Sequence, residues 1–249
     1  MESSFTFRPI GIVESPFREK FGTPRQPGLV EESRGTIRLR DDLNPDAFEG
    51  LEGYSHIWAI FVFHENQSVR EGRETVKTKV KPPRLEGQSV GVFASRSPHR
   101  PNPIGLSLLT IDKIEGRALH VRGLDLIDGT PILDLKPYLP SIESKTDASE
   151  GWSGALTNKT IAVEWAPQAL SDITRLYGNS DIRSEIEKIL NLDPRPVSYR
   201  GTKENPDPYT SRYGFRHGDF NVVFTMLSHE PKKARIERIE PWADPSTIE

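Results

Sequence analysis

Hydrophobic and polar positions alternate with a period of two in short runs through the first two-thirds of the chain. Residues 7–13 come first, then residues 35–40, where Ile37 and Leu39 alternate with Arg38 and Arg40. Such alternation puts successive side chains on opposite faces of a strand. Residues 54–63 form the most apolar stretch and are predicted to be a central strand. Residues 90–94, 106–111 and 117–124 read as further strands, and residues 131–136 follow an Asp128-Gly129 turn signal. Closely spaced strands with few helical stretches between them predict a barrel or sandwich, not a sheet built from βαβ units.

Past residue 140 the pattern changes. Residues 141–160 are small and polar and read as a linker. Leu170, Ile173, Leu176 and Tyr177 then mark one helix face, with Pro167 near its start and Gly178 past its end. Ile182, Ile186, Ile189 and Leu190 mark a second face, and residues 221–227 and 234–239 read as strands. The fold class expected is mainly β: a closed or nearly closed β-barrel over residues 1–144, a linker over 145–160, and a small α+β domain over 161–249.

Composition narrows the function. The 249 residues are 35% hydrophobic and 28% charged, which suits a soluble protein with a real core. No apolar run approaches the ~18 residues that a membrane helix needs. The start, Met1-Glu2-Ser3-Ser4-Phe5, lacks the basic and apolar regions of a secretory signal. A cytoplasmic protein without a membrane partner is expected. With no Cys there are no disulfides, thiolate metal sites or cysteine nucleophiles. The formal net charge is -3, yet residues 66–103 hold eight Lys/Arg against three Glu, and residues 195–235 hold eight against four acidic residues. Two locally basic segments can track a phosphate backbone, and either alone can equally be a solvated surface.

The stretch Ser95-Arg96-Ser97-Pro98-His99-Arg100-Pro101-Asn102-Pro103-Ile104-Gly105 holds three prolines, which fix φ and push the preceding residues extended. Such a loop loses little entropy when a ligand is held against it. A polar, proline-rich connection between strands has the same composition. A second loop of this kind, Thr23-Pro24-Arg25-Gln26-Pro27-Gly28, favours two walls of one anion-binding site.

Other chemistries find little support. No Gly-x-Gly-x-x-Gly follows a strand and no phosphate loop of the Walker type occurs. The six His show no zinc-type pairing, and no nucleophile elbow is present. No metal is expected. His64-Glu65 ends the most apolar strand, where a polar pair can line a barrel mouth or simply reach water. Asp125 and Asp128 flank a tight turn, where each can accept hydrogen bonds from ribose hydroxyls or cap the turn.

Six ordered stretches carry a specific resemblance. They are Pro24-Arg25-Gln26-Pro27-Gly28-Leu29-Val30, His64, Lys81-Pro82-Pro83-Arg84, Gly91 through Pro98, Arg100-Pro101-Asn102-Pro103-Ile104-Gly105, and Leu124-Asp125-Leu126-Ile127-Asp128-Gly129-Thr130-Pro131. In this order they resemble the TsaA-like, or TrmO, family of tRNA methyltransferases. The likeness runs from about residue 7 to 144 and resumes at Asp193-Pro194-Arg195-Pro196 and Asp219-Phe220-Asn221-Val222. It implies a β-barrel that binds S-adenosylmethionine, a C-terminal domain, and a homodimer with the cofactor near the subunit interface. The implied reaction is methyl transfer to N6 of threonylcarbamoyladenosine, beside the anticodon of tRNA.

By position, the resemblance assigns cofactor contacts to Pro24, Arg25, Gln26, His64, Glu65, Arg96, Leu106, Gly123, Leu124 and Asp125. Arg25 or Arg96 suits the methionine carboxylate, and Asp125 suits the ribose diol. Asp128, Tyr199, His217 and Asp219 are candidates to collect the N6 proton. Arg100, Arg195, Tyr199, Arg200 and Arg216, with Arg212 and Tyr213 beside them, can offer the stacking and cationic surface that an unstacked anticodon loop requires. Two alternatives stand: a cofactor-binding barrel without turnover, and a methyltransferase for a substrate other than tRNA.

Overall fold

A computed structural model describes residues 5–66, 69, 71, 77–82, 85, 87–154, 160–178, 180–195, 199–200, 212–229 and 231–243. Several residues of the motifs and basic segments, Arg70, Arg73, Pro83, Arg84, Pro196 and Lys203, lie outside the described residues, as do residues 155–159 of the predicted linker.

The alternating stretches fold as expected into strands, and a two-residue strand that was not anticipated, β4, joins them: β1 (Gly11–Glu14), β2 (Arg34–Leu39), β3 (His56–Val62), β4 (Lys79–Val80), β5 (Val90–Gly91), β6 (Ile104–Glu115), β7 (Ala118–Arg122) and β8 (Pro131–Pro137). Six of them close a barrel in the order β1-β2-β7-β6-β3-β8, while β4 and β5 pair separately. β3 lies between β6 and β8, with Ile57 opposite Leu109, Ala59 opposite Leu135, and Phe61 opposite Gly105. Its inward residues Ile57, Ala59 and Phe61 are buried with Val13, Ile37, Leu109, Leu119, Val121 and Ile132. Gly105 is required by this packing, because a Cβ there would stand 2.1 Å from Phe61 Cζ.

The strand predicted over residues 90–94 is shorter. Only Val90 and Gly91 pair, and Val92–Ala94 form a 3-10 turn closed by the Ser95 hydroxyl on the Val92 carbonyl at 2.8 Å. The Ser95–Gly105 loop therefore leads from the small β4–β5 ladder into the barrel and does not join two neighbouring barrel strands.

Beyond β8 a short helix α1 (Pro140–Glu143) opens on Pro140. Glu143 holds it in place, accepting from the Leu139 N–H at 2.7 Å and from Trp58 Nε1 at 2.9 Å. Then come β9 (Ala162–Trp165), α2 (Pro167–Tyr177), α3 (Ser180–Asn191), β10 (Arg212–His217), β11 (Phe220–His229) and β12 (Lys232–Pro241). The sheet order is β10-β11-β12-β9, with β9 parallel to β12. Pro167 at the first turn of α2 and Gly178 beyond its last, at φ 60°, bound that helix as predicted. β9 and β10 were not anticipated. β9 is only four residues long, and β10 is mostly polar and basic, turning only Phe215 and His217 inward.

The chain packs as two compact units. One comprises Met1–Glu14, Gly35–Arg122 and Gly129–Leu156, and the other Ser15–Arg34, Gly123–Asp128 and Thr157–Glu249. The second unit thus draws on two stretches that lie between barrel strands in sequence, one after β1 and one after β7. They bring Phe17, Val30, Leu124 and Leu126, all buried, to that unit. Gly22 lies against the Phe215 ring, where a Cβ would fall 2.6 Å from Cδ2.

Candidate functional site

Six of the ten predicted cofactor contacts, Pro24, Arg25, Gln26, Gly123, Leu124 and Asp125, fall in the second unit. Their two loops meet at a pair of glycines. Gly28 N–H donates to the Gly123 carbonyl at 3.0 Å, and both residues have positive φ, 74° and 71°. A Cβ on Gly123 would stand 3.4 Å from Gly28 N, an ordinary contact, so what favours glycine there is the positive φ. The buried Ser33 hydroxyl lies 2.7 Å from the Val30 carbonyl and 2.8 Å from the Leu124 carbonyl, tying the base of one loop to the other. On this frame Pro24 and Leu124 are buried, Gln26 and Asp125 half-buried, and Arg25 exposed.

Asp128 locks the same region. Its Oδ1 accepts from the Ser15 N–H at 2.9 Å, its Oδ2 pairs with Arg18, and its own N–H donates to the Phe17 carbonyl at 2.7 Å.

The other four contacts, His64, Glu65, Arg96 and Leu106, fall in the first unit at the end of β3 and the start of β6. The proline-rich loop is fastened to the end of β3. Phe63 N–H donates to the Pro103 carbonyl at 2.8 Å and Asn66 Nδ2 to the Pro98 carbonyl at 2.5 Å. Arg100 donates back to the Ser95 carbonyl at 3.2 Å. Sequence reading missed one further support: Trp152 Nε1 donates to the Ala94 carbonyl at 2.7 Å. A lone tryptophan in a polar stretch was the available signal. His64 Nε2 lies 3.7 Å from Glu65 Oε1, and Leu106 is 52% exposed on the outer face of β6.

The basic and aromatic residues of the second unit divide by exposure. Arg195 is 3% exposed, its Nε and NH2 donating to the two oxygens of Asp193 at 2.9 and 3.2 Å while its guanidinium lies 5.1 Å over the Tyr213 ring. Expected to face RNA, it is enclosed as a framework residue, because the buried Asp193 carboxylate requires a cation. Lys232 Nζ adds a contact to Asp193 at 3.0 Å and Arg200 Nε another at 3.6 Å. Burial raises the Asp193 pKa, and the hydrogen bonds from Arg195 with the charges of Arg200 and Lys232 outweigh it and hold the group at about 2. Outside this knot, Tyr199 is 38% exposed, 6.5 Å from Tyr213 at an interplanar angle of 32°, and Tyr213 stacks on Phe224 at 5.5 Å. Arg216 is half-buried and lies 5.1 Å over the Trp242 ring.

A cleft of about 590 Å³ in the second unit is lined by Tyr177, Asp181, Glu185, His217, Asp219 and neighbours. At 2% exposed, His217 has Nδ1 3.2 Å from the Tyr177 hydroxyl, while Nε2 lies 3.4 Å from Glu185 Oε1 without a hydrogen bond between them. Burial, with the charges of Glu185 and Asp219, pushes the Tyr177 hydroxyl well above its usual range. Asp219 sits at the β10–β11 turn with its side chain 84% exposed. Among the described residues no cluster of acidic residues and His is arranged to hold a metal ion, and no helix is long and apolar enough to cross a membrane.

Comparison with known proteins bears on these loops. The tRNA-methyltransferase O N-terminal domain matches residues 12–144, and the TrmO C-terminal domain matches residues 158–241. The chain is 41% identical over 228 residues to the tRNA (adenine(37)-N6)-methyltransferase of Escherichia coli, covering 88% of this chain and 92% of that one. A relative in Pseudomonas aeruginosa, named as an S-adenosylmethionine-dependent methyltransferase, is 41% identical over 86% of this chain and 89% of its own. A crystal structure of TrmO from Pseudomonas aeruginosa superposes with a TM-score of 0.73 at 34% identity, covering 96% of this chain and 100% of that chain. Matched along both its parts in sequence and along nearly its whole length in fold, the chain belongs to the tRNA-methyltransferase O family.

Proposed function

We propose that this protein transfers a methyl group from S-adenosylmethionine to N6 of threonylcarbamoyladenosine beside the anticodon of tRNA. The observation that carries the reading is the 41% identity to the Escherichia coli tRNA (adenine(37)-N6)-methyltransferase over 88% of the chain. Residues 1–144 supply the barrel and its cofactor loops, residues 145–160 connect, and residues 161–249 assist in holding tRNA. The enzyme acts in the cytoplasm, as a homodimer.

The residues fit the cofactor chemically. Arg25 and Arg96 are exposed guanidinium groups suited to a carboxylate, and Asp125 is a half-buried carboxylate suited to a diol. Leu106 offers exposed apolar surface, and Leu124, whose side chain is buried, belongs to the group through its place in the loop. Pro24, Gln26, His64, Glu65 and Gly123 complete the group. When bound, S-adenosylmethionine supplies a methyl group activated on a sulfonium. The protein's part is to hold acceptor and donor in line, and such positioning lowers a displacement barrier by reducing the entropy lost on reaching it.

Of the four proposed proton acceptors, Asp128 is committed to its turn, and His217 is buried with Nδ1 beside the Tyr177 hydroxyl. Tyr199 and Asp219 face solvent, where a proton can be passed on. For RNA, the exposed ring of Tyr199 and the cations of Arg100, Arg200 and Arg216 suit an unstacked loop.

The test is methyl transfer from labelled cofactor to total tRNA, taken from cells with and without the threonylcarbamoyl modification, followed by nucleoside analysis. Label in methylated threonylcarbamoyladenosine, from the modified pool alone, is the expected result. No label from either pool, with cofactor binding intact, would leave a barrel without turnover or with another substrate.

A further inference from the structure

Among the described residues, Asp193 is the non-glycine residue with positive φ, 54°. That left-handed backbone state is disfavoured for a residue with a side chain, though less so for Asp than for most. Here it precedes Pro194, which further narrows the allowed backbone. The strain is held by the clamp on its carboxylate: Arg195 through two hydrogen bonds, Lys232 through one, with Arg200 beside them. What the clamp orients is the carbonyl of the same residue. It accepts from Arg200 NH2 at 2.8 Å and, across 168 positions of sequence, from Arg25 NH2 at 3.0 Å.

We infer that Asp193 is a positioning residue for the cofactor: its clamped, left-handed backbone aims a carbonyl at Arg25 and fixes that guanidinium for the methionine carboxylate. The inference rests on the proposal that Arg25 binds that carboxylate. The contact is suited to the purpose because a carbonyl is neutral. This hydrogen bond to a carbonyl orients the guanidinium without itself offsetting its charge. The Asp193 carboxylate is turned away from this task and matched with Arg195 and Lys232. The segment that opens on Asp193 thereby acts on the cofactor through Arg25.

The experiment measures binding of two ligands to the full-length protein by calorimetry. S-adenosylmethionine carries the carboxylate, and 5′-methylthioadenosine shares the nucleoside and sulfur but lacks it. Asp193→Asn, Arg25→Ala and the double variant are compared with the parent. Each single substitution is expected to weaken S-adenosylmethionine by about tenfold, leave methylthioadenosine unchanged, and give a double variant no weaker than Arg25→Ala alone. Asp193→Gly tolerates the positive φ and loses the clamp, so it carries the same test should Asp193→Asn fail to fold.

Loss of S-adenosylmethionine affinity in Arg25→Ala but not in Asp193→Asn would overturn the inference and leave the reading of Arg25 intact. Equal weakening of both ligands by Asp193→Asn, or additive losses in the double variant, would reduce Asp193 to a support of the fold. Unchanged affinity in Arg25→Ala would overturn the reading of Arg25 itself.

Discussion

At the scale of single residues, the second unit depends on side chains whose character is set by where they are buried. Asp193 has a pKa near 2 in the fold, below its ordinary 3.8. A depressed carboxylate stabilises the folded state above its unfolded pKa, and that contribution is lost as pH falls through the folded value. Asp193 therefore contributes about 2 kcal/mol above pH ~4, fading toward pH ~2. Urea unfolding of the parent and of Asp193→Asn should show a gap that is constant near neutrality and narrows in that window. Gly123 carries a second prediction. Gly123→Ala would be strained at φ 71°. A loss of about 1–2 kcal/mol in stability is expected, with weaker S-adenosylmethionine binding by calorimetry. The roles of these two residues differed in legibility. The arginine loops stood in long ordered motifs, and Gly123 immediately preceded another. That Asp193 would enclose Arg195 was hidden, because a sequence gives the type of a charge but not its burial.

Among elements, alternation made the barrel readable. Residues 54–63 and 35–40 show which side chains face inward because one face of each strand is buried. β10 was missed because Arg212, Arg216 and His217 are polar by type, although His217 turns into the core beside Phe17 and Tyr177. The stretch expected to be a plain linker holds α1 and the Trp152 contact to Ala94. That hydrogen bond braces the 3-10 turn from which the proline-rich loop departs. Trp152→Phe keeps a ring and removes the donor. It should cost about 1 kcal/mol and speed amide exchange around Ser95, read by hydrogen exchange with mass spectrometry.

For the whole molecule, net charge misleads. At -3 the protein has no overall cationic field, yet its basic residues are concentrated in two segments. Affinity for tRNA should fall by about tenfold or more between 50 and 200 mM salt, measured by fluorescence anisotropy. Arg216→Ala should flatten that slope, whereas a salt-independent affinity would argue against phosphate contacts. The family likeness, dense in the first 144 residues, left the C-terminal part legible only as helices and strands. The assembly of the second unit from Ser15–Arg34, Gly123–Asp128 and Thr157–Glu249 bears on how the protein is made. Ribosomal synthesis proceeds from the N-terminus, so Phe17 emerges long before β10, whose His217 ring it meets edge-on. It must wait, apolar and uncovered, until that strand has left the ribosome. A chain stopped before β10 would retain that exposed surface as a target for chaperones and proteases, and a C-terminal fragment alone would lack the plugs that seal its core.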